Sequence, residues 1–329
     1  MKRWNAVVIS GLVFATMLSF QTAEAETLTY TDKLGRTVAV PLPVNRAAIF
    51  QIYELIPALG IADKIVGIGS YAYDNDLMKA AIPDIKNTIP CAGNGVDLNI
   101  EALLKMEPDV VITWTFRPDS LRFMEQKGLR VIGISPENLS ELYDVIRLHG
   151  SLFGKQDRAE MCIAEMEKIF SAVTATLSVL PPGKRRKVLY LMGRPTSVAG
   201  DAGVAGDLVK MSGGINSASG IRQQSSDVSM EQIVAWDPDV IFIWGHAGYT
   251  AQSILESAQW RCIRAVREGR VYKAPKWSNW SLRIAPVVLW MAAKTYPDAF
   301  QHIDLDVTFD EFYRKVYGIP YEKVTTVEK

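Results

Sequence analysis

Two stretches decide how this chain is read: DLNIEALLKMEPDVVITW at residues 97–114 and DVSMEQIVAWDPDVIFIW at residues 227–244. Aligned without a gap, they share Asp97/Asp227, Glu101/Glu231, Pro108/Pro238, Asp109/Asp239, Val110/Val240 and Trp114/Trp244. Most other positions exchange one apolar residue for another. Units of about 20–50 residues repeated in tandem point to solenoids. One unit recurring across a long gap points instead to two similar lobes.

Outward from that pair, strands alternate with helices. Thr27 to Thr31 and Thr37 to Val40 read as a hairpin around the turn Asp32 to Arg36. RAAIF at 46–50, KIVGIG at 64–69 and LRVIGI at 129–134 read as buried strands, with a helix closed by Gly60 between the first two. Ser140 is the expected cap of a helix ending at Gly154. A long helix then runs from about Gln156 to Val179, with Ala159, Cys162, Ile163, Met166, Ile169, Phe170, Val173 and Leu177 at three- and four-residue spacings. Pro181-Pro182-Gly183 breaks it. KVLYLM at 187–192, the second repeat unit and RVYKA at 270–274 restart the alternation, with a Gly-rich loop expected from Gly193 to Gly206. Two helices close the chain, one containing Val287, Leu289, Trp290 and Ala293 and one near Phe309 to Val316. Alternation of this kind implies α/β lobes with mostly parallel sheets, joined by one long α-helix. The divisions are 1–25, 26–154, 155–180 and 181–329: export signal, first lobe, bridging helix, second lobe.

The first division rests on Lys2 and Arg3, the apolar run Ala6 to Phe20, and Ala23-Glu24-Ala25, which together read as a secretory signal cleaved after Ala25. About fifteen apolar residues fall short of the ~20 that span a bilayer. With 36 basic and 36 acidic residues among 329, no electrostatic footprint for nucleic acid or an anionic membrane is present. Cys91, Cys162 and Cys262 form no C-x-x-C motif. In an oxidising compartment two of them can pair and at least one stays free, with Cys162 expected to be buried.

Templates for catalysis come up short: there is no H-E-x-x-H, G-x-S-x-G or G-x-x-x-x-G-K-[ST]. With three histidines, no metal cage assembles from sequence, and no resident cofactor is expected. In an open α/β sheet ligands sit beyond the carboxyl ends of the strands. Those ends carry Gln51 and Tyr53, Tyr71 and Tyr73, Trp114, Phe116 and Arg117, then Arg194, Trp244, His246 and Tyr249, and finally Trp277, Trp280 and Arg283. Rings with arginines suit a large, partly aromatic, anionic ligand through stacking and charge-assisted hydrogen bonds. Packing explains a lone Trp at a strand end equally well. The loop Gly200 to Gly206 lacks the dinucleotide spacing and reads either as a turn or as a ligand loop at a helix N-terminus. Glu101 and Glu231 follow the N-caps Asn99 and Ser229, and Ser229 with Gln232 forms a capping-box pattern. First-turn carboxylates gain about 0.3–1 kcal/mol from the helix dipole, which alone accounts for both.

Taken together, the opening TYTDKLGRTVAVP, the E-x-L-L-x-x-x-P-D-V-V-I unit, GRPTSVAGDAGVAGDLVKMSGGIN, E-Q-I-V-A-W-D-P-D-V-I-F and REGRVYKAP resemble a known family. It is that of the periplasmic substrate-binding proteins of ATP-driven importers for ferric siderophores, cobalamin and haem. The resemblance covers essentially the whole mature chain. It implies two lobes bridged by one helix, no catalysis, a soluble monomer and a metal chelate as the ligand. It also implies docking of Glu101 and Glu231 against arginines of an inner-membrane ABC permease dimer with its ATPase. Ferric hydroxamates or catecholates would engage Arg117, Arg194 or Arg283, whereas a corrin would lie against Trp114, Trp244, Trp277 and Trp280. Haem would take Tyr71, Tyr73, His246 or Tyr249 as axial ligand, and molybdate or tungstate would use small hydrogen-bond donors.

Overall fold

The computed structural model describes residues 26–324, apart from 96, 278 and 279, so the expected export signal at 1–25 lies outside the described residues. An antiparallel hairpin, β1 (Thr27–Thr31) and β2 (Thr37–Pro41), opens the chain, as its alternation predicts. The first lobe continues through β3 (Ala47–Ile49), α1 (Leu55–Leu59) and β4 (Ile65–Ile68). Gly60 ends α1 in the left-handed conformation (φ 64°) that glycine adopts without steric penalty. Two short helices, α2 (Asp76–Ala81) and α3 (Ile85–Thr88), precede the first repeat unit, which forms α4 (Ile100–Met106) and β5 (Val110–Trp114). Then come α5 (Pro118–Gln126) and β6 (Val131–Ile134). The sheet is wholly parallel, ordered β4-β3-β5-β6.

Helix α6 (Leu139–Phe153) is capped by Asn138, whose Oδ1 accepts from the Glu141 N–H at 3.0 Å, and not by Ser140 as expected. The amide side chain reaches N3 from two residues earlier, so Ser140 falls inside the first turn. Helix α7 (Gln156–Ser178) has 23 residues, about 35 Å of rod at 1.5 Å each, and stops one residue before the expected Val179.

In the second lobe β7 (Lys187–Leu191) is followed by β8 (Ser197–Ala199) and α8 (Gly203–Met211). The expected loop from Gly193 to Gly206 is therefore broken by a strand and yields to the helix early. Next are β9 (Ile215–Asn216), β10 (Ser225–Asp227), α9 (Met230–Trp236), β11 (Val240–Ile243), α10 (Ala251–Leu255), α11 (Arg264–Arg267) and β12 (Val271–Lys273). Strands β7, β11 and β12 run parallel, β9 adds to β7 in parallel, and β8 and β10 extend the sheet antiparallel. Three helices, α12 (Ile284–Thr295), α13 (Pro297–Phe300) and α14 (Leu305–Tyr317), finish the chain.

Period-two burial splits each sheet between two cores. Val110 and Ile112 of β5, with Val240 and Phe242 of β11, face one large cluster that includes α7, α12 and α14. Val111 faces a separate cluster with Leu103 of α4, while Ile241 and Ile243 face another with Ile233 of α9. The repeat helices thus cover the outer faces of the two sheets, and α7 lies along the shared interior. Arg158 of α7 fastens this interior by donating to the Ala58 and Val316 carbonyls, both at 2.7 Å.

The identical residues of the repeat have a local explanation. Both helices end on a left-handed residue, Glu107 (φ 46°) and Asp237 (φ 43°), followed by proline. Asp109 Oδ2 then accepts from the Asn45 and Arg46 N–H groups at 2.9 and 2.8 Å, and Asp239 Oδ2 accepts from the Lys187 N–H at 2.8 Å. Arg46 Nε donates to the Glu107 carbonyl at 3.0 Å and Lys187 Nζ to that of Trp236 at 3.2 Å, placing a cation at each helix C-terminus where the dipole favours it.

Candidate functional site

The carboxyl ends of the strands from both lobes meet in a cleft, where aromatic rings make the contact. Trp114, at the end of β5, stacks on Phe116 with centroids 5.2 Å apart. It meets the edge of Trp280, from the segment after β12, at 5.9 Å and 71°. Trp280 also borders a cavity of about 230 Å³ with Met192, Val204, Gln224, Trp244 and His246. Trp244 and His246 lie 5.3 Å apart, so rings run from the first lobe across to the second. Burial, then the nearby Lys276, holds the His246 imidazole below its ordinary pKa, leaving a neutral ring able to donate and accept.

The Gly-rich loop forms one wall through Ala202, Gly203 and Ala205, and no side chain caps the start of α8. Its glycines are there for packing. A Cβ at Gly200 would lie 2.1 Å from the Gln223 carbonyl oxygen, and one at Gly206 would lie 2.7 Å from that of Gly200. The loop is thus a close-packed turn that also lines the cavity.

The other predicted polar residues are spread over both lobes, and of these Tyr249 braces a residue of the cavity. The Tyr249 hydroxyl donates to the Met192 carbonyl at 2.8 Å, Gln51 Nε2 reaches the Gly95 carbonyl at 3.4 Å, and the Tyr73 hydroxyl donates to that of Ile89 at 2.6 Å. Tyr53 is enclosed, and its hydroxyl has no hydrogen-bond partner among the described residues. Tyr71 is open to solvent at 60%. Arg117 pairs with Asp97 at 3.4 Å, and Arg194 with Asp227. Both pairs are more than half exposed and worth about 0–1 kcal/mol, so they part at little cost.

Two predicted residues belong elsewhere. Trp277 is 2% exposed, packed among Phe309, Tyr313 and Tyr321 with centroids 5.7–6.2 Å away. It covers the aromatic stripe of α14 and offers no face to the cleft. Arg283 is fully buried, its Nε donating to Glu54 Oε1 at 3.0 Å and its Nη1 to Asp76 Oδ2 at 3.0 Å. Its charge is spent inside the protein, tying the start of α12 to the first lobe. Sequence reasoning also missed Met192, Gln224 and Lys276. Met192 stands at the end of β7 but is apolar and gave no chemical signal, Lys276 lies beyond the end of β12, and Gln224 precedes the antiparallel strand β10, which no pattern announced.

Glu101 and Glu231 are solvent-exposed on the outer helices. Asn99 Oδ1 accepts from the Ala102 N–H at 3.0 Å and Ser229 Oγ from that of Gln232 at 3.2 Å, so both caps form as expected. The Glu231 carboxyl is held below its usual range by its own backbone N–H and by Ser229. Cys91, Cys162 and Cys262 are unpaired, and burial raises the Cys162 thiol to about 11. Among the described residues, no three His, Cys, Asp or Glu side chains converge in a group fit for a metal ion, and no helix is long and apolar enough to cross a membrane.

Comparison with known proteins gives the same architecture. The chain is 24% identical over 323 residues to the molybdate-binding protein MolA of Haemophilus influenzae, covering 89% of this chain and 91% of that protein. It is 23% identical to the iron(3+)-hydroxamate-binding protein FhuD of Bacillus subtilis, covering 76% and 79%. Among solved structures, Helicobacter pylori CeuE with Ni(II) bound superposes with a TM-score of 0.80 at 23% identity, covering 90% and 98%. A periplasmic solute binding protein from Veillonella parvula does so at 0.76 and 29% identity, covering 92% and 97%. The relatives are binding proteins for transport, not enzymes. Residues 51–277 match the periplasmic binding protein family, and the chain belongs to it.

Proposed function

We propose that this chain captures a metal chelate, a ferric siderophore, between its lobes and delivers it to an inner-membrane permease. The observation that carries this reading is the run of rings Phe116, Trp114, Trp280, Trp244 and His246, which offers both lobes' aromatic faces to one ligand. Arg117 lies beside Trp114 and Phe116, and its exposed pair, like that of Arg194, leaves a cation free to exchange onto anionic chelate oxygens. The hydroxamate-binding relative supports the same class. Corrinoid and haem ligands are of similar bulk to a ferric siderophore, and the exposed arginines favour the chelate richest in anionic oxygens. The cavity of about 230 Å³ is below the roughly 300–1,000 Å³ of sites for drug-sized ligands, so the cleft has to widen around any chelate of this bulk. A compact oxyanion is the second reading, favoured by that volume, by the uncapped first turn of α8 and by the molybdate-binding relative. In either case the protein works as an exported monomer, cleaved after Ala25. Glu101 and Glu231 meet the two subunits of a permease dimer powered by its ATPase.

The test is tryptophan fluorescence of the purified mature chain titrated with ferrichrome, ferric enterobactin, cobalamin, haemin and sodium molybdate. Saturable quenching by a ferric siderophore, weakened at least tenfold in Trp244→Ala and Trp280→Ala, is the expected result. A response to molybdate alone selects the second reading, and a response to cobalamin or haemin alone overturns the siderophore assignment.

A further inference from the structure

Helices α4 and α9 share more than a glutamate. Along α4, Leu103 is buried and Leu104 exposed; along α9, Ile233 is buried and Val234 exposed. The two outward residues occupy the same position of the repeat, one turn after Glu101 and Glu231, and are 37% and 38% exposed. A single exposed apolar side chain is ordinary. Recurrence at one position, at the same exposure and beside the same acid, is not accounted for by folding. Leu103 and Ile233 already anchor each helix to its sheet. Val234, being β-branched, is a poorer helix former than the Lys, Glu or Gln an exposed site accepts, so propensity does not ask for it either. Residues three apart on a helix face the same way, with Cβ atoms about 5–6 Å apart. Each lobe therefore presents a carboxylate and an apolar side chain as one patch. The next outward position differs, Lys105 against Ala235, so the match is confined to the pair.

We infer that Leu104 and Val234 form the apolar half of a duplicated docking surface for a two-fold symmetric protein partner. Each half of that partner presents a basic side chain beside an apolar hollow. The inference rests on the docking of Glu101 and Glu231 put forward above and adds what surrounds each ion pair. A carboxylate in water gains little from an exposed partner, about 0–1 kcal/mol, whereas apolar contact beside it excludes water and strengthens the pair. Two patches on two lobes demand two equal sites, which a homodimeric permease supplies.

The experiment measures ATP hydrolysis by the cognate permease–ATPase complex in proteoliposomes as a function of binding-protein concentration. The variants are Leu104→Asp with Val234→Asp, Glu101→Ala with Glu231→Ala, and the control Lys105→Ser with Ala235→Ser. The aspartate pair is expected to need about tenfold more protein or greater for equal stimulation, with thermal melting and fluorescence quenching by ferrichrome unchanged. The control should match wild type. Loss in the aspartate pair with full activity in the glutamate pair leaves the apolar surface standing and removes the charge reading alone. Wild-type stimulation by the aspartate pair, alongside loss in the glutamate pair, overturns the inference and spares the charge reading. If the control falls as far as the aspartate pair, the matched positions have no special part and the inference fails as well.

Discussion

Arg283→Met is expected to destabilise the fold by about 3–5 kcal/mol near neutral pH, the range for removing one partner of a buried ion pair. Arg283 and Glu54 are 0% and 1% exposed, and Asp76 is 19% exposed. Beside them Asn75 Nδ2 donates to Glu54 Oε1 at 3.0 Å. Methionine keeps the packing of the aliphatic stem but leaves two carboxylates together without their cation. Burial already raises the Asp76 pKa, and the Arg283 charge is the main influence pulling it back. An acid whose folded pKa lies above its unfolded value disfavours folding once ionised, and that penalty fades as pH falls through the folded pKa. Loss of Arg283 moves the Asp76 pKa further upward, so the variant's deficit is largest at about pH 7.5 and shrinks toward about pH 5. Urea unfolding followed by far-UV circular dichroism at both pH values measures it. Neutralising the carboxylates in Arg283→Met/Glu54→Gln/Asp76→Asn should restore most of the loss. A deficit under about 1 kcal/mol, or one equal at both pH values, would refute the description of a buried, charge-balanced cluster.

Three further outcomes follow from the same geometry. Glu101→Ala with Glu231→Ala should abolish permease stimulation while leaving ligand quenching intact, and unchanged transport would sink the docking assignment. A Cβ at Gly245 would lie 2.2 Å from the Pro275 carbonyl oxygen, so Gly245→Ala should cost about 1–3 kcal/mol in denaturant melts and weaken ligand binding by displacing the segment that carries Trp280; binding at wild-type affinity would argue against that linkage. Because burial and Lys276 suppress His246 protonation, Trp244 fluorescence should titrate with a midpoint below the ordinary imidazole value of 6.5, and the transition should vanish in His246→Gln; a midpoint above that value would contradict the site's electrostatics.

Local chemistry made much of this legible in the sequence. The length of α7 was readable from three- and four-residue apolar spacing and a terminal Pro-Pro-Gly, both local signals. The repeat was readable because its capping residues, its left-handed helix end and its Asp109/Asp239 anchors all lie within one short unit. Trp277 and Trp280 show where this runs out. Three residues apart in the same segment, one covers α14 and the other meets Trp114. Arg283 looked like a ligand cation for the same reason, since its partners Glu54 and Asp76 lie 229 and 207 residues away. No local pattern encodes such pairing. Helices α2 and α3 and strands β8 and β10 were missed because their few residues carry too little periodicity to register.

The clasp made by Arg158 sets an order of assembly. Its two acceptors, Ala58 and Val316, stand near opposite ends of the chain, and α14 packs on both α1 and α7. Contacts between such distant segments form late, because the loop entropy they must overcome is large. The first lobe therefore has an open side for as long as the last helix is missing. Without that helix, Arg158 loses one of its two acceptors and the faces of α1 and α7 beneath α14 stand open to water.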